Sequence, residues 1–162
     1  MRFLFVDRVV ALDPGRSIDV LKNVAASEDV FADHFPGFPV LPGALMVEVF
    51  EQATQLLIAA SDGDAPRVGR LESIDRAAFR RPARPGDRIH ARCTAQALGA
   101  DRWRVTADAR VDDRRVASAV LTFALEPPDG VWRTSAERVR ALARELSTDP
   151  LAAVSGADGL IA

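Results

Sequence analysis

The sequence predicts an α+β fold in which an antiparallel sheet of about six strands wraps around one long central helix. Three observations carry this. From Ala44 to Ala60 there is no Pro or Gly, and Leu45, Val49, Gln52, Leu56 and Ala59 recur at helical spacing. Four runs with strand-like patterning follow, separated by turn residues. Two more such runs precede the helix, joined by "DPG".

Taken in order, "RFLFVDRVVAL" (residues 2–12) is rich in β-branched and aromatic residues and reads as the first strand. Asp13 to Gly15 form a turn, and "RSIDVLKNVA" alternates well enough to complete a hairpin. "SEDVFADHFPGFPVLPG" reads as a loop, because Pro36, Pro39 and Pro42 each fix φ and remove a backbone donor. The helix after it is apolar on most sides, and such a helix is expected to be buried. "SDGDAP" ends it. The remaining strands are "RVGRLESIDRAAF", "DRIHARCTAQAL", "RWRVTADARV" and "RRVASAVLTFALE", with turns at "RPARPGD", "GAD" and "DD". In the third, Trp103, Val105, Ala107 and Ala109 alternate with Arg104, Thr106, Asp108 and Arg110, the period of a half-buried strand. "PPDG" (Pro127 to Gly130) closes the strand region. "TSAERVRALARELS" is a short amphipathic helix with Thr134 or Ser135 as N-cap. The final "TDPLAAVSGADGLIA" reads as a poorly ordered tail. The expected division is a domain over 1–126 and a helix-and-tail extension over 127–162.

A chain of 162 residues can bury one core of ordinary size. Its net charge of −2 gives no support to nucleic-acid binding. The lone Cys93 allows neither an intramolecular disulfide nor a cysteine zinc site, and is expected to be a small buried hydrophobe. The two histidines, His34 and His90, lack ligand-like spacing, so neither a metal nor another cofactor is expected. His90, on a strand between Arg88 and Arg92, reads as surface or interface. No apolar run approaches the ~20 residues of a membrane span. Asp7 and Arg8 interrupt the apolar start, which argues against a signal peptide, and a cytoplasmic location is expected.

The stretch "HFPGFPVLPGALMVEVFEQATQLL" (34–57) is the chemically suggestive one. It puts His34 on a rigid Pro/Gly loop that runs straight into the apolar helix. Gly43 stands at the helix start, where backbone N–H groups are unpaired and the dipole is positive. Glu48 lies among apolar neighbours, Leu45 and Val49, and such surroundings raise a carboxyl pKa. From the residues alone, bland readings stay open. His34 can be a hydrogen-bonded loop residue, Glu48 a core-rim residue paired with an Arg, Gly43 a helix-entry residue, and Gln52 a core hydrogen-bonding group.

This stretch resembles the signature of the FabZ-type (3R)-3-hydroxyacyl-ACP dehydratases, H-F-P-G-x-P-[IV]-x-P-G, with an acid five residues after the last Gly and a Gln four further on. "IDRAAFRRPARPGD" resembles the family's I-D-x-x-[RK]-F-[RK]-x-P-[VA]-x-P-G-D, and "FLFVDRV" its F-L-L-V-D-R-V. The resemblance spans residues 3 to 125. It implies a hotdog fold and a dehydratase with His34 as general base, Glu48 as general acid and the Gly43 N–H as donor to the thioester oxygen, with Gln52 in support. It further implies that the Val40 carbonyl accepts from His34 Nδ1 and that each site forms between two subunits. The expected assembly is a homodimer or dimer of dimers, or a heterodimer with another hotdog subunit. The expected partner is an acidic acyl-carrier protein, with Arg80, Arg81 and Arg84 as docking candidates. A hotdog thioesterase and a non-catalytic hotdog subunit are the alternatives. The family's P-H-R-x-P-[FM] element does not precede "MRFLFVDR", and there is no tyrosine to gate a substrate tunnel as in many relatives. The first difference fits either an alternative start or a divergent subfamily with a different tunnel edge, and the second a gate that is absent or made by another residue; fatty-acid, polyketide and aryl-polyene synthesis stay open as settings.

Overall fold

A computed structural model describes residues 4–61, 67–128 and 130–147, with the side chains of 130–136 and 147 outside that description. The elements are β1 (Arg8–Asp13), β2 (Ser17–Asn23), a 3-10 turn (Asp29–Ala32), α1 (Gly43–Ser61), β3 (Val68–Phe79), β4 (Arg88–Ala97), β5 (Arg102–Val111), β6 (Arg114–Glu126) and α2 (Gly130–Ser147). Six antiparallel strands form one sheet in the order β1-β2-β4-β5-β6-β3. The expected sheet and central helix are therefore present.

Strand order explains the helix. β2 and β3 are consecutive in the chain but three strands stand between them, so the connection must cross the sheet face. At 19 residues, α1 is about 28 Å long, enough to span the four strand spacings, roughly 19 Å, between β2 and β3. Val49, Phe50, Ala53 and Leu57 of α1 are fully buried, packed in one core with Ile89, Ala91 and Cys93 of β4, Val105 of β5, and Leu121 and Phe123 of β6.

Three local expectations change. The first strand does not begin at residue 2: β1 starts at Arg8. Phe5 and Val6 are buried, and the Phe5 N–H donates to Gln52 Oε1 at 2.8 Å instead of to a neighbouring strand. The segment thus leaves the sheet edge to lie against α1. The loop before α1 contains the 3-10 turn. The backbone of α2 is helical from Gly130, so Thr134 and Ser135 lie inside the helix and not at its cap. Glycine is tolerated at a helix start. Helix α1 is apolar on most sides, as expected, and its remaining side is polar. Glu48, Glu51, Gln52 and Gln55 form a half-buried polar face on it. α2 packs against α1 and β1, and its Ala143 is part of the same core. Residues 62–66, within the expected "SDGDAP" turn, and the tail from 148 lie outside the described residues.

The turns follow their residues. Asp112 and Asp113 both have positive φ, 46° and 61°, which closes the β5–β6 hairpin with a left-handed two-residue turn. In "RPGD" the Asp87 N–H donates to the Arg84 carbonyl at 2.9 Å, with Pro85 and a positive-φ Gly86 between them. The same turn is tied by Asp87 Oδ2, which accepts the Arg84 N–H at 2.8 Å. Cys93 is buried, as expected, and His90 is half-exposed with Nε2 3.2 Å from Asp19 Oδ1.

Candidate active site

His34 sits where three local constraints converge. Its N–H donates to the Val30 carbonyl at 3.0 Å, and its own carbonyl accepts the Val40 N–H at 3.1 Å. Its ring nitrogen Nδ1 lies 2.9 Å from the Val40 carbonyl oxygen. A carbonyl only accepts, so Nδ1 carries a proton, and in the neutral imidazole Nε2 is the bare nitrogen. The ring also stacks on Phe35 with centroids 4.1 Å apart. The three prolines of this loop, each short of a donor, leave few backbone groups to satisfy, and those at 34 and 40 satisfy one another.

Gly43 opens α1. The Pro42 carbonyl accepts the Met46 N–H at 3.1 Å, and no acidic side chain occupies the first turn. The positive helix end is thus uncompensated by a carboxylate of its own first turn. A Cβ on Gly43 would fall 2.9 Å from the ring of Phe79, so glycine is what lets this half-exposed phenylalanine lie flat over the helix start. Sequence reading missed Phe79. Its only signal was its place in "AAFRRP", and the contact joins segments 36 residues apart.

An open cleft of about 480 Å³ brings His34, Val40 and Gly43 together with Phe79, Arg80 and Arg81. Its floor is apolar, with Leu41, Met46, Ala83 and Ala117. A second cleft of similar volume shares Arg81 with the first and adds Arg84 and Arg114. Arg114, on the β5–β6 hairpin, was not foreseen. The Arg84 guanidinium lies 4.1 Å over the Phe38 ring, which fixes it at the rim between the two clefts.

Glu48 and Gln52 do not line the His34 cleft of their own chain. Gln52 Nε2 donates to Glu48 Oε1 at 2.7 Å, while Gln52 Oε1 takes the Phe5 N–H. The glutamine thereby fixes the Glu48 carboxylate from the next helical turn. One turn round the helix, Gln55 Nε2 donates to Glu51 Oε1 at 2.7 Å. Burial pushes the Glu51 pKa above its ordinary range; the Gln55 hydrogen bond opposes this and the negative charge of Glu48 adds to it.

The sheet wrapped on a crossing helix is a hotdog architecture, and the cleft combines a tautomer-fixed imidazole with a helix N-terminus. The model of the FabA-like domain matches residues 1–120. The chain is 39% identical over 125 residues to the 3-hydroxyacyl-[acyl-carrier-protein] dehydratase FabZ of Lactobacillus helveticus (strain DPC 4571), covering 77% of this chain and 84% of that protein. It is 40% identical over 125 residues to the protein of the same name from Dechloromonas aromatica (strain RCB), covering 75% and 87%. Among solved structures, the dehydratase heterocomplex ApeI:P from Xenorhabdus doucetiae shares the fold, with a TM-score of 0.57 at 17% identity over 72% of this chain and 96% of that one. The chain belongs to the FabA-like family, among its FabZ-type hotdog dehydratases.

Proposed function

We propose that the chain is a (3R)-3-hydroxyacyl-ACP dehydratase that forms a trans-2-enoyl thioester. The observation that carries this is the His34 ring with Nδ1 tied to the Val40 carbonyl, in one cleft with the start of α1. A bare Nε2 is a base of suitable strength at neutral pH. It removes a proton from C2 while the Gly43 N–H binds the thioester oxygen, where negative charge develops. The C2–H electron pair becomes the C2=C3 bond as the C3–O bond breaks. The leaving hydroxyl takes a proton from a carboxyl group and departs as water.

In this reading that carboxyl is the partner subunit's Glu48. Two observations support a shared site. Glu48 lies away from the His34 cleft of its own chain, and β3, an outer strand, is exposed along most of its length, with Ile74 50% exposed. Such an edge is a template for pairing with a second chain. The assembly is a homodimer, alone or within a dimer of dimers, or a heterodimer with another hotdog subunit. Arg80, Arg81 and Arg84 receive the acidic carrier protein, and no cofactor is used. Among the described residues no helix is long and apolar enough to cross a membrane, and the proposed site of action is the cytoplasm.

The test is incubation of the purified chain with 3-hydroxyacyl-ACPs of several lengths, followed by mass spectrometry. Loss of water from the acyl carrier is the expected result. Free carrier thiol would mean a thioesterase, and turnover that needs a second hotdog subunit and persists in His34→Ala would mean a non-catalytic role. Docking is tested by charge reversal at Arg81 and Arg84. On the order of a tenfold rise in KM for acyl-ACP, fading at high salt, is expected without change for a small acyl thioester. An equal rise for both substrates would reject docking.

A further inference from the structure

Lys22 is 5% exposed. It shares a strand face with Ile18 and Val20, which are core residues. Nζ donates to Glu28 Oε1 at 2.6 Å and to the Asn23 carbonyl at 2.9 Å, and it lies 5.4 Å from the Phe5 ring centroid. Two of these contacts lead to the site. Glu28 Oε1 also accepts the Ala25 N–H at 3.0 Å, and the Glu28 carbonyl accepts the Phe31 N–H at 3.1 Å. This secures the 3-10 turn, whose Val30 carbonyl holds the His34 N–H. On the other side, the Phe5 N–H holds Gln52, and Gln52 holds Glu48.

We propose that Lys22 is a positioning residue for the dehydration, a single buried cation that fixes both the segment bearing His34 and, through Phe5, the glutamine that holds Glu48. The inference rests on the dehydratase reading. A buried ammonium must keep its hydrogen-bond acceptors, because an unsatisfied donor group in a core is costly. That requirement gives the 25–33 segment one allowed seat. An apolar side chain would fill the volume but let the segment slide, and a displacement of about 1 Å at the chemistry can cost about 10²-fold in rate. Since the acid and base of one chain serve different sites in a dimer, each Lys22 sets geometry in two sites.

The experiment uses the full chain with a 3-hydroxyacyl N-acetylcysteamine thioester, comparing Lys22→Met, Glu28→Ala and Glu28→Gln after circular dichroism has confirmed the fold. Lys22→Met and Glu28→Ala are expected to lower kcat by about 10- to 100-fold with KM within about threefold. Glu28→Gln keeps an acceptor for both donors and is expected to hold kcat within about threefold of the unsubstituted chain. The His34 imidazole NMR resonance, read without turnover, should shift in Lys22→Met and Glu28→Ala but not in Glu28→Gln. Near-normal kcat in a folded Lys22→Met or Glu28→Ala, or equal loss in both Glu28 variants, overturns the proposal. If Lys22→Met does not fold, the two Glu28 variants decide. An inactive unsubstituted chain would reject the dehydratase reading instead, and the His34 resonance would then decide the positioning role: an unmoved resonance overturns it.

Discussion

Helix α1 carries one local arrangement twice. Glu48 with Gln52 and Glu51 with Gln55 are both Glu-x-x-x-Gln pairs, and in both the amide donates to the carboxylate at 2.7 Å. They differ in what the glutamine grips. Gln55 clamps Gly69 of β3 on both sides, accepting its N–H at 3.1 Å and donating to its carbonyl. Gln52 grips the Phe5 N–H, on a segment ahead of the first strand. The first clamp locks helix to sheet, and the second fixes a carboxylate by way of a chain that is itself positioned by side chains. On the proposed mechanism, the same side-chain pair serves register in one place and chemistry in the other, according to what anchors it.

The strongest way to break this comparison is to neutralise each carboxylate. Glu48→Gln, like His34→Ala, is expected to lower kcat by about 10²-fold or more, as for a lost general acid or base. Glu51→Gln should stay within about threefold. Steady-state assays of both on the same thioester decide it, and a large loss in Glu51→Gln alone would move the acid to Glu51.

The glycines beside the two pairs sharpen the comparison through stability. A Cβ on Gly69 would collide with Ile58 Cδ1 and fall 3.3 Å from Phe123. Both of those side chains are buried, so Gly69→Ala is expected to cost about 1–3 kcal/mol from overpacking. At Gly43 the obstructing ring of Phe79 is 53% exposed and free to swing outward. Gly43→Ala should shift stability by only about 0.5 kcal/mol while lowering kcat, because the displaced ring and new methyl crowd the donor. Urea midpoints alongside turnover separate the two; equal destabilisation would refute the distinction.

The smallest effect is in pH dependence. Burial raises the Glu51 pKa in the folded state, so the folded chain holds this proton more tightly than the unfolded one. Stability from this group is then present below its ordinary value of 4.5 and is lost as pH rises through the raised folded value. Glu51→Gln should have the higher Tm at pH 7, with the difference closing as pH falls toward 4.5. A Tm difference that widens on acidification would contradict the sign.

How far the sequence could be read depended on the range of the contacts. β5 and β6 were legible to the residue, because the inward alternation of Trp103, Val105 and Ala107 and the Asp112–Asp113 turn are local signals. The Pro/Gly loop around His34 was legible from its residues, but its contact with Val40, six residues on, was expected only from the family resemblance. What local pattern could not show was decided at long range. Phe5 looks like a strand residue, yet its N–H is taken by Gln52, 47 residues on. The partners of the polar face of α1, Phe5 and Gly69, lie outside the helix and left no local signal. Lys22 sits on the strand face that Ile18 and Val20 bury, and Glu28, the Asn23 carbonyl and Phe5 explain how a charged side chain is accommodated there.

The two ends of the sheet are unequal in a way that limits growth. β1 has 6 residues, is bulged between Val9 and Ala11, and packs against α2. β3 runs 12 residues and is the other edge. A sheet with two good edges would be divalent, able to add copies without end. In the proposed dimer, pairing of β3 with its like would use up the longer edge of both chains among the described residues, and edge-to-edge growth would stop at two copies.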